Sequence, residues 1–267
     1  MSCAQVLQQL SRKKPVTGSL PQGTSSSPRT LMGASFCTAL SHLFAAAIIE
    51  GLSHQCMRVT LRVMQIPLED FDYILKSARS VRRKLDYDRP ISRADIEACI
   101  DVAVQAPTGL AGENWRFLVV TEPEPKAQIA EIYCDIMLDI AATRGVELKS
   151  THRALMSRLH EIPCMIMVYA IGEPDEQLSG QVGFFGSILP AAWSLMLAMR
   201  ARGIGTTWTS LLSARPDAIA KILGVPEGVT QTVMLPAAYT LGAKLRPADR
   251  LPAREVTYWN RWGESDI

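Results

Sequence analysis

The chain has few of the patterns by which side chains alone carry out catalysis. It contains no GxSxG elbow, no Walker loop and no HExxH pair. Gly203-Ile204-Gly205 lacks the third glycine of a dinucleotide fingerprint and follows a helical pattern rather than a strand. Beyond residue 63 only two histidines occur, His152 and His160. On one predicted helix their spacing puts them two turns apart, too far to share a metal ion, so surface or structural roles fit them better. Six cysteines (Cys3, Cys37, Cys56, Cys99, Cys134 and Cys164) include no CxxC pair, so neither a zinc knuckle nor a redox dithiol is signalled. Cys99 on an apolar helix face and Cys164 in an apolar run read as ordinary buried thiols. No metal and no disulfide is expected, and a reduced, cytoplasmic setting fits. The net charge of +2 argues for neither nucleic acid nor a membrane surface as a partner. No apolar run reaches the roughly 20 residues of a membrane span. The nearest, residues 36–52, is broken by His42 and Glu50. An enzyme built this way borrows its chemistry from a cofactor.

With 267 residues, 48% of them hydrophobic, the chain can bury a large core in one domain or two small ones. Its first 63 residues differ from the rest. No acidic residue precedes Glu50, while Arg12, Lys13, Lys14, Arg29, Arg58 and Arg62 are basic, and residues 15–30 are dense in Ser, Thr, Gly and Pro. This leader (1–63) reads in three ways. It is a targeting peptide, a disordered tail with one short helix at 36–52, or a stretch upstream of the true start at Met64. The strong patterning that begins just after Met64 favours the last. Residues 64–267 then form the domain.

Within that domain residues 68–76 suit a short amphipathic helix. Ser92 and Asp95 form a capping box, and the helix they start carries Ile96, Cys99, Ile100, Ala103 and Val104 on one face until Pro107 stops it. Residues 116–121 suit a strand, 125–143 a helix, and 163–171 a strand apolar throughout, hence buried. Residues 183–202 suit a helix apolar almost all round, the mark of a core or a subunit interface, with Gly203 placed to end it. Short strand 206–210, helix 216–223 and strand 231–241 follow. Trp259 and Trp262 lie in a tail that must dock on something. Irregular alternation of strands and helices predicts an α+β fold, with a mixed sheet flanked by helices.

Three segments can carry chemistry. Arg79, Ser80 and Arg82, with Arg83 and Lys84, offer guanidinium forks and a hydroxyl suited to a phosphate, or else a solvated basic turn. Residues 106–116 run from a helix end to a strand start, with Gly109 and Gly112 where a ligand can approach backbone closely. Ser187-Ile188-Leu189-Pro190-Ala191 sets a proline inside a long helix, which marks either a function or a simple kink.

Together these segments resemble the nitroreductase family of FMN-dependent oxidoreductases. Arg79-Ser80-Val81-Arg82 is similar to the family's phosphate motif. Ala106-Pro107-Thr108 with Trp115 is similar to its AP(S/T) loop, residues 187–206 to its interface helix and following turn, and Arg250-Leu251-Pro252 to its C-terminal Arg-x-Pro element. The resemblance covers residues 71–259 in the family's order. It implies a three-layer α-β-α fold and an intertwined homodimer with two flavin sites at the interface. It further implies that Arg79, Ser80 and Arg82 hold the FMN phosphate and ribityl chain and that Arg250 closes the phosphate site. Thr108, with Gly109, Ala111 and Glu113, would line the pyrimidine side. Trp208, Thr209 and Ser210 would lie along the isoalloxazine with a backbone N–H aimed at N5. Ile188 and Pro190 would pack from the partner subunit.

The resemblance implies a ping-pong cycle. NADH or NADPH gives hydride to the flavin, and a small electron-poor acceptor such as a nitroaromatic or quinone is then reduced, with no side-chain acid or base required. Alternatives on the same fold are flavin fragmentation, reductive dehalogenation with a lid in residues 133–158, or a non-catalytic flavin-binding homodimer. Four positions depart from the family: Ala78 for Arg, Ala111 for Asn, Glu113 for Gln and Ser194 for Asn. A carboxylate at Glu113 beside the pyrimidine ring is expected to lower the flavin potential, unless it turns to solvent and pairs with an arginine.

Overall fold

Strand β3 (Cys164–Ile171) is apolar at every position, and all its residues except Ile171 are buried. Such a strand needs cover on both faces. The computed structural model, which describes residues 67–109 and 112–264, supplies it. The leader 1–63, with Cys3, Cys37 and Cys56, and Ala111 lie outside the described residues.

The chain runs through helix α1 (Leu68–Ser77), strand β1 (Leu85–Asp86), helix α2 (Arg93–Ala103) and strand β2 (Trp115–Val120). Helices α3 (Pro123–Arg144) and α4 (Ser150–Met156) precede β3, followed by helix α5 (Leu178–Ala201), strand β4 (Ile204–Thr206), helix α6 (Pro216–Leu223) and strand β5 (Val229–Thr240). The five strands form one sheet in the order β1-β5-β3-β2, with β4 also on β5. The sheet expected to be mixed is antiparallel in every ladder. Parallel pairing is confined to single bridges, Ser80 with Thr206 and Gly172 with Val229. The α+β expectation stands.

Side chains alternate across β3. Met165, Met167 and Tyr169 meet Ile129, Tyr133, Ile136 and Met137 of α3. Cys164 and Ile166 meet Ile96 and Cys99 of α2 and Leu195 and Met199 of α5. Helices therefore lie on both faces, giving three layers. The capping box forms as the sequence requires, with Ser92 Oγ accepting from the Asp95 N–H at 3.0 Å. Gly203 adopts φ +76° just past α5, a conformation that favours glycine. The short strand expected at 206–210 lies instead at 204–206, and Thr209 keeps only an isolated bridge to Met234. His152 and His160 do not share a helix: His152 is in α4 and His160 is in a 3-10 turn beyond it.

One expectation is corrected. Helix α5, 24 residues with mean hydropathy 1.7 in its most apolar window, is long and apolar enough to cross a membrane by length and composition. The glycines, serines and single proline within it carry no charge to interrupt the run. One of its faces, including Ile188, Ala192, Leu195 and Met199, is buried. Leu178, Val182 and Trp193 are exposed.

Lys126 is the buried cation of the α3 side. Its Nζ donates to the Ile162 carbonyl at 2.7 Å, and burial holds its pKa below the ordinary lysine value. The unfolded chain thus binds more protons than the folded one at pH values just below the ordinary lysine pKa. Stability is expected to rise with pH there. Chemical denaturation of the wild type and Lys126→Met across that window should show a slope in the wild type that the variant lacks. Leu195→Ala, at a fully buried position, is expected to cost about 2–5 kcal/mol in the same denaturation experiment.

Candidate functional site

The turn after α1 is held to the sheet by backbone and side-chain bonds. Val81 N–H donates to the Thr206 carbonyl at 2.8 Å, Thr207 Oγ1 donates to the Val81 carbonyl at 2.8 Å, and Trp208 N–H donates to Ser80 Oγ at 3.1 Å. A Cβ on Gly205 would stand 3.1 Å from Val81 Cβ and 2.8 Å from Thr240 Cγ2, so glycine permits this approach. The result places Arg79 and Ser80 on the wall of a cavity of about 710 Å³, with Arg250 from the C-terminal segment and Pro190 from α5. Phe185, Leu189, Trp193 and Trp208 supply large apolar walls. The volume lies within the roughly 300–1,000 Å³ of small-molecule sites.

Chemically the cavity has two characters. Arg79, Arg250 and the Ser80 hydroxyl are donors, and among the described residues neither arginine has a carboxylate partner. Guanidinium forks so placed suit a phosphate. The aromatic walls suit a planar apolar ring. Pro190 has no N–H to give the Gly186 carbonyl one turn earlier, and both residues line the cavity. Five of the expected contact residues therefore meet: Arg79, Ser80, Pro190, Trp208 and Arg250.

The others are placed differently. Pro190 shares its cavity with Arg79 of the same chain, whereas it was expected to pack from the partner. Ile188 is a core residue, 0% exposed, packed with Trp115, Val168 and Val233. Two residues round the helix turn its side chain to the sheet when Pro190 faces the cavity. Arg82 points to the α3 side, where its Nε is buried without a hydrogen-bond partner. There its charge opposes the burial that raises the Tyr133 pKa, and it adds to the burial that lowers the His152 pKa. Alternation along the extended segment sends Arg82 away from Arg79. Thr108 and Gly109 are exposed in the loop, where the Gly109 N–H donates to Ser187 Oγ at 2.9 Å. Glu113 is exposed, and Arg116 donates to its main-chain carbonyl rather than its carboxylate. Among the described residues its carboxylate has no ion-pair partner. Thr209 is buried, and its N–H goes to the Met234 carbonyl at 3.2 Å. With the Trp208 N–H also bonded, Ser210 keeps the one available N–H of that segment among the described residues. Ser210 lines an adjoining cavity of about 690 Å³ that shares Phe185, Leu189 and Trp208.

Phe185, Leu189 and Trp193, expected only as part of an apolar helix, are walls of the cavity. Their signal was present: spaced by four, they form one stripe on a helix whose opposite face was already filled with apolar residues.

The chain is similar to several known proteins. The chain is 29% identical over 178 residues to the iodotyrosine deiodinase of Drosophila melanogaster, a match spanning 62% of this chain and 61% of that relative, less than two thirds of its length. It is 24% identical over 203 residues to Bacillus subtilis YodC, named as an inferred NAD(P)H nitroreductase, covering 70% of this chain and 96% of YodC. In three dimensions it resembles the crystal structure of an oxidized iodotyrosine deiodinase bound to FMN and 3-iodo-L-tyrosine. The TM-score is 0.51 at 21% identity, over 70% of this chain and 99% of that one, a likeness of fold. The family model for nitroreductases matches residues 75–239, more than half of the chain and every residue lining the cavity except Arg250, and the chain belongs to the nitroreductase family.

Proposed function

We propose that this protein is an FMN-dependent oxidoreductase that takes hydride from NADH or NADPH and reduces a small electron-poor organic acceptor. The observation that carries the reading is the meeting of Arg79, Ser80 and Arg250 with the aromatic walls of one cavity. A bound flavin would supply the two-electron chemistry. The chain's own residues bind and orient. Arg79, whose Nη1 already donates to the Ala78 carbonyl, and Arg250 would fix the phosphate with guanidinium donors that have no carboxylate partner among the described residues, and Ser80, held by the Trp208 N–H, would offer its hydroxyl proton. Trp208 and Phe185 would exclude water from the ring. Pro190 leaves the Gly186 carbonyl as an acceptor toward the same space.

A homodimer belongs to this proposal. Leu178, Val182 and Trp193 on α5, with Tyr258, Trp259 and Trp262 near the C-terminus, leave apolar surface exposed, Trp262 by 91%. A second copy is the occupant that the family resemblance implies. A second reaction on the same site, reductive dehalogenation, is favoured by the 29% identity to an iodotyrosine deiodinase.

The purified protein should carry a flavin absorbance band that bleaches on anaerobic addition of NADH or NADPH and returns with a nitroaromatic or quinone. A band that bleaches only with dithionite and returns with a halotyrosine would favour dehalogenation, and absence of bound or bindable flavin would overturn both. Arg79→Ala and Arg250→Ala are each expected to weaken FMN binding about tenfold or more, because a charge-assisted bond to phosphate is lost. Fluorescence titration of the apoprotein reads this. Val182→Asp with Trp193→Asp should shift the mass measured by light scattering from dimer to monomer. An unchanged mass would place the contact elsewhere.

A further inference from the structure

A second polar pocket lies away from the arginine-lined cavity, on the α3 and α6 side of the sheet. It is generated by an irregularity in the β3–β5 ladder. Val168 pairs with Val233, but Tyr169 pairs with Gln231, so Thr232 is an extra residue on β5. A bulge of this kind re-aims side chains. Without it Tyr169 would stand opposite Thr232. With it, Tyr169 and Gln231 are direct cross-strand partners and face the same way. Thr232 is used locally, its hydroxyl donating to the Val168 carbonyl at 2.7 Å.

Tyr169 is 3% exposed and Gln231 8% exposed. Tyr169 Oη and Gln231 Oε1 are both buried, and among the described residues neither has a hydrogen-bond partner. Buried polar atoms are rarely left so, because each forfeits its hydration. Both residues line a cavity of about 340 Å³ closed by α6 and the loop before β5. That is roughly ten times the volume of a liquid water molecule, and at the lower end for small organic ligands. Three carboxylates, Glu173, Asp217 and Glu227, line the same cavity. Among the described residues none of the three has an ion-pair partner. The neighbouring Arg215 is engaged by Asp139 at 2.7 Å and Asp135 at 3.7 Å. Among the described residues no cluster of three or more acidic, His or Cys side chains is placed to hold a metal ion. The carboxylates are thus spread around the opening rather than converging on a point. Burial pushes the Tyr169 phenol up to about 12, so it stays a neutral hydroxyl that can accept as well as donate.

We propose that this pocket binds a small organic cation bearing a primary ammonium or guanidinium group, whose N–H donors satisfy Tyr169 Oη and Gln231 Oε1 beneath Glu173, Asp217 and Glu227. The floor suits a ligand that donates hydrogen bonds, since Gln231 Oε1 accepts and the neutral Tyr169 hydroxyl can accept. The rim requires positive charge. The width of the rim requires something larger than a metal ion. None of its residues lines the cavity that holds Arg79, although Glu173 and Gln231 also line the adjoining cavity of about 690 Å³; Tyr169, Asp217 and Glu227 belong to this pocket and to neither of the others.

Calorimetric titration of the intact protein with 1,4-diaminobutane tests it, with butane-1,4-diol as the neutral counterpart. Saturable binding of the diamine is expected, weakening as salt screens the rim, with no binding of the diol. Gln231→Leu and Tyr169→Phe should each weaken diamine binding about tenfold. Without ligand, Tyr169→Phe should melt no lower than the wild type, since it removes a buried group that lacks a partner. Absence of saturation at millimolar diamine, or equal binding of the diol, would overturn the proposal and leave a cavity for water only. So would a Tyr169→Phe variant that melts lower and binds diamine unchanged, because the hydroxyl would then have a structural partner.

Discussion

The fold depends on one constraint: the β3–β5 pair must be dry on both faces. Eight consecutive apolar residues in β3 and a β5 buried from Gln231 to Ala238 cannot leave either side of the sheet in water. Each face therefore needs its own helices, α3 on one and α2 with α5 on the other.

Helix α5 turns this constraint into a site. A helix that is apolar all round has more surface than the sheet can cover. The face bearing Ile188, Leu195 and Met199 is consumed by the core. The stripe of Phe185, Leu189 and Trp193 is left over and becomes the wall of the arginine-lined cavity. Pro190 sits at the boundary. In the core of a packed helix its missing N–H would be a cost without compensation, but here it faces a cavity in which a free carbonyl can be used. The cationic end comes from parts of the chain far apart in sequence, Arg79 after α1 and Arg250 near the C-terminus.

The pocket under Tyr169 follows from the opposite logic. It exists because the ladder slips by one residue, and the slip brings two polar side chains to a place where an uninterrupted sheet would pair tyrosine with threonine. The acceptors left in that floor are compatible with a dry core only if something polar answers them. The two cavities thus have complementary chemistry, one rimmed by arginines and the other by carboxylates, on one sheet.

Much of this was legible in the order of residues. The capping box at Ser92, the glycine ending α5, the buried character of β3 and the apolar circumference of α5 are local properties, and periodicity and backbone stereochemistry report them directly. The adjacency of Arg79 and Ser80 was equally plain, but it fitted a solvated basic turn as well, and only the packed structure sets both on a cavity wall. Other features were decided only by tertiary packing. Arg82 and Ile188 look like neighbours of the site in sequence, yet strand alternation and helical rotation turn them away from it, and Glu113 goes to solvent. Gln231 and Tyr169 lie 62 residues apart, and nothing local in either strand foretells that a single extra residue will align them. Sequence determines which faces must be buried, because burial is a property of each side chain. Which leftover groups meet is set by ladder register and helix rotation, which exist only after the layers have packed.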